Sequence, residues 1–87
     1  MAQLKATIKD PIGLHARPAS ITVAAASKFE SDITITSEGK TGNMKSIMNV
    51  MALGIKQNAK VVIEANGTDA DEAIKAIEEA MKQNNLI

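Results

Sequence analysis

Residues 60–81 read KVVIEANGTDADEAIKAIEEAM, and this stretch decides the fold. Val61, Ile63 and Ala65 recur at every second position, the period of a strand that buries one face. Asn66 and Gly67 mark a turn. Thr68, with Asp71 three residues on, resembles a capping box. Beyond it, Ala70, Ala73, Ile74, Ile77 and Met81 fall on one side of a helix. A strand with one buried face runs straight into a helix with one buried stripe. The natural partner of such a pair is a sheet that carries its helices on one side.

The rest of the chain follows the same logic. Leu4, Ala6 and Ile8 alternate with Gln3, Lys5, Thr7 and Lys9, giving a first strand. DPIG at 10–13 ends it, because Pro11 cannot continue a ladder and Gly13 permits a turn. From Ala16 to about Lys28 the composition is alanine-rich, with Ala19, Val23 and Ala26 at helical spacing. Ile33 and Ile35 mark a second strand, and Ser37, Glu38, Gly39 and Lys40 form a turn leading to a short third, KTGN. In KSIMNVMAL, Ser46 is a helix cap and Gly54 a stop. The order is β-α-β-β-α-β-α, an α+β chain with one open sheet and all helices on one face. Its 87 residues make a single domain, 1–87, too small for a deep cleft under a second lobe.

Composition excludes several function classes. Ten Lys plus Arg balance ten Asp plus Glu, so no net charge draws the chain to nucleic acid or an anionic membrane. Phe29 is the only aromatic, which argues against base stacking. Without cysteine there is no disulfide, thiolate or cysteine metal site, in keeping with a reducing cytoplasm. The opening MAQLKATIKD has no continuous apolar core of a signal peptide. No apolar run approaches the roughly 18 residues of a membrane span. These features describe a soluble cytoplasmic protein without membrane insertion.

The only histidine, His15, lies in GLHARPAS at 13–20. With a helix beginning at Ala16, His15 is the N-cap, and the next N–H groups point outward without intrahelical partners. Those groups and the positive end of the helix dipole form an anion site beside the ring. Arg17 adds a planar fork suited to phosphate or carboxylate, and Pro18 favours helix initiation. Neutral imidazole is a nucleophile, so a ring nitrogen could attack phosphorus while the amides and Arg17 hold the other oxygens. The alternative is a histidine that merely caps a helix or faces solvent. A metal is not expected, since no second His or any Cys is present. GKT at 39–41 mimics the end of a P-loop, but Thr34 stands where the motif needs its first glycine.

Ser46 explains itself as a cap, yet Ile47, Met48, Val50 and Met51 place apolar groups on more than one side of a short helix. Some of them should be exposed, and Met-rich surfaces suit partners of varied shape. The alternative is that Met48 fills a gap in the core. Phosphate on Ser46 would put negative charge beside these residues and could switch partners.

GLHARPA and KSIMNVMALGI, with the length and element order, resemble a known family. It is HPr, the histidine-containing phosphocarrier of the bacterial phosphoenolpyruvate-dependent sugar phosphotransferase system. The resemblance covers essentially the whole chain. It implies an open-faced β-sandwich with four antiparallel strands and three helices. It also implies a monomeric, cofactor-free carrier, not an enzyme, in which His15 receives phosphate on Nδ1 from enzyme I and passes it to enzyme IIA domains. By the same likeness Arg17 assists transfer and the amides of Ala16 and Arg17 contact the phosphoryl oxygens. KSIM is similar to the Gram-positive branch. There the matching serine is phosphorylated by HPr kinase/phosphorylase, and the product serves catabolite control protein A as corepressor. Ile47, Met48 and Met51 would then be the docking patch. Asn49, where many such relatives have glycine, and Ile12, in place of a small polar residue, depart from the pattern. The rival within the family is a regulatory paralogue acting mainly as a transcription-factor corepressor, which lacks the histidine. A small-ligand or RNA-binding module is the rival outside it, and would need exposed aromatics or a basic sheet face.

Overall fold

The computed structural model describes Met1–Ile87. Its elements are β1 (Ala2–Thr7), α1 (Ala16–Ala26), β2 (Asp32–Ser37), β3 (Lys40–Asn43), α2 (Ile47–Ala52), β4 (Lys60–Asn66) and α3 (Ala70–Gln83). The four strands form one sheet in the order β1-β4-β2-β3, and every neighbouring pair is antiparallel. This is the open-faced sandwich expected from the sequence.

Register explains which side of the sheet is covered. Leu4 pairs with Ile63, which pairs with Ile35, so three apolar side chains share one row and face. Lys5, Val62 and Thr36 fill the next row and face the open side. In β4 the buried residues are Val61, Ile63 and Ala65, as the alternation predicts. The stripe on α3 is buried in full: Ala70, Ala73, Ile74, Ile77 and Met81. These residues join Ile33, Ile35, Val50 and others in one core between helices and sheet. Burial of each large apolar side chain contributes about 1.5–3 kcal/mol. No helix is long and apolar enough to cross a membrane.

Two expectations need correction. The first helix ends at Ala26, not near Lys28. Its last turn tightens into weaker bonds, Lys28 N–H to Ala25 O at 3.5 Å and Phe29 N–H to Ala26 O at 3.3 Å. The chain is then drawn away, because the following N–H groups of Glu30 and Ser31 donate to the Asp69 carboxylate at 2.9 and 3.0 Å. The second correction concerns the start of α3. Thr68 and Asp71 form no capping box; Asp69 is the N-cap and makes no side-chain cap bond. Its carboxylate instead accepts from Glu30 N–H, Ser31 N–H and the Ser31 hydroxyl, tying two distant turns together. These bonds hold the Asp69 carboxyl below the usual aspartate range, the Ser31 hydroxyl contributing most. Gly67 completes the clamp: its φ is +153°, and a Cβ there would lie 2.7 Å from Ser31 Cα.

Candidate functional site

The turn at 10–13 is built by Asp10. Its Oδ1 accepts the Ile12 N–H at 2.9 Å, and its backbone carbonyl accepts the Gly13 N–H at 3.0 Å. Pro11 supplies the fixed φ that such a turn favours. Gly13 follows at φ +87°, and a Cβ there would collide with the Ile55 carbonyl and lie 2.6 Å from Lys56 Cα. Only glycine allows that approach. Leu14, buried, then donates its N–H to Ile55 O at 2.9 Å. The turn is thus fastened to the segment that follows α2 before the chain reaches His15.

His15 occupies the N-cap of α1 in an extended conformation, φ −83° and ψ −169°, with no side-chain cap bond. Its carbonyl accepts the Ala19 N–H at 2.9 Å, the first bond of the helix. Pro18 has no N–H, and the amides of Ala16 and Arg17 have no acceptor within the chain. Two donors therefore stand open at the positive end of an 11-residue helix. The imidazole is partly exposed, and its Nε2 lies 3.7 Å from Asp10 Oδ1. Arg17 is exposed and pairs with no carboxylate of the chain.

His15 stands between two hollows. One, ≈ 250 Å³, is lined by Asp10, Arg17, Pro18 and, from the C-terminal segment, Asn84 and Leu86. The other, ≈ 290 Å³, runs toward α2 and is lined by Ile12, Met51, Gly54 and Lys56. The largest hollow, ≈ 560 Å³ between the Ser37–Lys40 turn and the residues after α2, contains neither His15 nor Arg17. Volume is a poor guide here; open donors beside an imidazole make the smaller hollows the candidate site. A small open hollow of this kind has room for one tetrahedral anion.

Ser46 is the N-cap of α2, as predicted, and its Oγ accepts from Asn49 N–H at 3.2 Å and from Asn49 Nδ2 at 3.1 Å. Asn49 Oδ1 accepts the Asn43 N–H at 3.4 Å, linking the cap to the end of β3. Val50 is the residue of α2 that enters the core. Ile47, Met48 and Met51 are 40%, 82% and 44% exposed, so Met48 fills no gap in the core. Ile12, 69% exposed, joins Met51 beside His15.

The structure therefore brings His15, Arg17 and Met51 to one face and leaves Ser46 at the other end of α2. Sequence reasoning missed Asp10, Lys56 and Asn84 around the ring. Asp10 carried a usable signal, since aspartate before proline is a common first residue of a turn whose carboxylate folds back. Lys56 and Asn84 arrive through tertiary packing and carried none.

Comparison with known proteins bears on this geometry. A family model described as the PTS HPr component phosphorylation site matches residues 2–83. The phosphocarrier protein HPr of Mycoplasma capricolum is 54% identical over 87 residues, covering 100% of this chain and 98% of that protein. The HPr of Mycoplasma pneumoniae is 47% identical over 88 residues, with both chains covered in full. Among solved structures, a mycoplasma histidine-containing phosphocarrier protein superposes with a TM-score of 0.97 at 53% identity, covering 99% of this chain and 98% of that one.

Proposed function

The chain belongs to the HPr family of phosphotransferase-system phosphocarriers, and on that premise we propose that His15 is the residue that accepts and donates the phosphoryl group. The observation that carries this reading is the pair of open amides, Ala16 and Arg17, at the head of α1 beside His15. Nδ1 attacks phosphorus, and the bond to the donor breaks as the new P–N bond forms. The two amides and the Arg17 guanidinium are donors aimed at the oxygens that carry the spreading negative charge. Transfer onward reverses the step, with the electron pair of the P–N bond returning to Nδ1. The chain is a stoichiometric carrier and requires no cofactor.

In this reading the donor is phosphorylated enzyme I and the acceptors are enzyme IIA domains of sugar uptake. The protein works as a monomer and a single domain in the cytoplasm. Ile47, Met48 and Met51, with the surface around His15 and Arg17, form the docking patch. Their exposure on a helix that sends only Val50 inward supports this assignment. Ser46 is the regulatory site, modified by HPr kinase/phosphorylase to give a form that serves catabolite control protein A. Phosphate there would add charge directly before Ile47 and Met48 and weaken docking by enzyme I.

The test is intact mass after incubation with phosphoenolpyruvate and catalytic enzyme I, under conditions that spare the P–N bond. One phosphoryl increment, lost in acid and absent from His15→Ala, is expected. The variant stays folded, because the ring makes no cap bond. An increment that persists in His15→Ala would refute the assignment.

A further inference from the structure

We infer that Asp10 is a positioning residue for His15: its carboxylate faces Nε2 and so reserves Nδ1 as the reacting nitrogen. The inference rests on the phosphoryl-acceptor reading of His15 and adds a residue to it. Asp10 Oδ1 stands 3.7 Å from His15 Nε2, with the two side chains 21% and 37% exposed. The carboxylate and the backbone that carries the ring are both anchored. The carboxylate is held by the Ile12 N–H at 2.9 Å, and the turn that carries it closes through Gly13 N–H to Asp10 O at 3.0 Å. The backbone before the ring is fixed in turn by Leu14 N–H to Ile55 O at 2.9 Å.

A neutral imidazole bears its proton on one nitrogen, and the neighbours decide which. A carboxylate beside Nε2 attracts an N–H there and repels a lone pair. The other charged groups lining the two hollows at the ring are Arg17 and Lys56, and both can only donate. Asp10 is thus the one charged acceptor at the ring, and it favours the tautomer with hydrogen on Nε2 and the lone pair on Nδ1. When Nδ1 forms its bond to phosphorus, the electron pair of the broken bond leaves with the donor. Nε2 keeps its proton throughout. The ring becomes cationic, and Asp10 faces the new charge until onward transfer returns the electron pair to Nδ1. Aspartate at position 10 therefore sets both which nitrogen reacts and the charge that follows the reaction.

The tautomer ratio is measured by NMR on protein labelled with ¹⁵N in its histidine, above the pH at which the ring is cationic. The same samples are then phosphorylated with phosphoramidate, a small donor that needs no partner protein, and the modified nitrogen is identified. The native chain should be mainly Nε2–H and react at Nδ1. Asp10→Asn keeps an oxygen for Ile12 but loses the charge, and should lower the ratio of the two tautomers about fivefold, as expected for a partly exposed charge. Asp10→Ser, whose shorter hydroxyl can still support the turn, should do the same and give mixed products. An unchanged ratio and unchanged product in both folded variants would overturn the inference. Because this readout uses free protein, it stands apart from the carrier reading. A normal ratio in native protein that takes no phosphate from enzyme I would strike that reading alone.

Discussion

The starts of α1 and α2 are built in opposite ways. Ser46 caps the shorter helix: its Oγ takes both the backbone and the side-chain N–H of Asn49, and Asn49 is itself tied to β3. His15 leaves the longer helix open, with no cap bond from its side chain and no acceptor for the amides of Ala16 and Arg17. A helix end left unpaired has to be satisfied by water or by a ligand. α2 and α3 also leave amides of their first turns unpaired, but only at α1 do the open amides stand beside a histidine. The ring avoids the capping role, and in the proposed mechanism it is kept for phosphorus.

That contrast can be broken first at Arg17. If the open end serves a developing phosphoryl charge, Arg17→Ala should slow phosphorylation of His15 by about a hundredfold, the scale of losing one preorganised donor. Its thermal unfolding should hardly move, because the native side chain pairs with no carboxylate of the chain. Comparable rates for the variant and the native chain in a stopped-flow assay would mean that the opening is incidental. At the capped end the effect should lie in stability. Ser46→Ala removes an acceptor used twice and should cost about 1 kcal/mol by urea denaturation, a normal value for a lost cap. A stability loss from His15→Ala as large as that from Ser46→Ala would erase the distinction between the two ends.

α3 sharpens the comparison in a third way, since its N-cap, Asp69, spends its carboxylate on Ser31 and Glu30 and not on its own helix. The carboxyl is held below its ordinary value in the folded chain. Its contribution is therefore complete above the unfolded pKa of 3.8 and is lost as pH falls through the lower folded value. Asp69→Asn should show a shallower loss of stability with acid over that window, with the smallest difference in activity of these four variants. Parallel acid-unfolding curves for variant and native protein would assign the acid sensitivity elsewhere.

What could be read in advance divides along the range of the interactions. The strand alternation in β1 and β4, the five-residue stripe of α3 and the Ser37–Lys40 turn depend on neighbours a few residues apart, and all stand where the sequence put them. Ser46, capping through the residue three positions on, belongs to the same group. The clamp of Asp69 on Ser31 spans 38 residues, and a local pattern at Thr68 and Asp71 pointed instead to a cap that does not form. The approach of Gly13 to Ile55, which carries His15 up to Met51, is also tertiary. GLHARPAS thus displayed the candidate nucleophile and the helix it heads. Asp10 was legible as the first residue of a turn, but its approach to His15 was not, because nothing local says that the folded carboxylate also faces the ring.

The most direct test of the open helix end is the ¹H–¹⁵N spectrum of the chain before and after phosphorylation by enzyme I. The amides of Ala16 and Arg17 should move furthest downfield as they take up phosphoryl oxygens, while the Asn49 amide, already bound to Ser46, keeps its position. Phosphorylated protein in which the amides of Ala16 and Arg17 do not move would contradict the account, because the group would then be held by something other than the vacant end of α1.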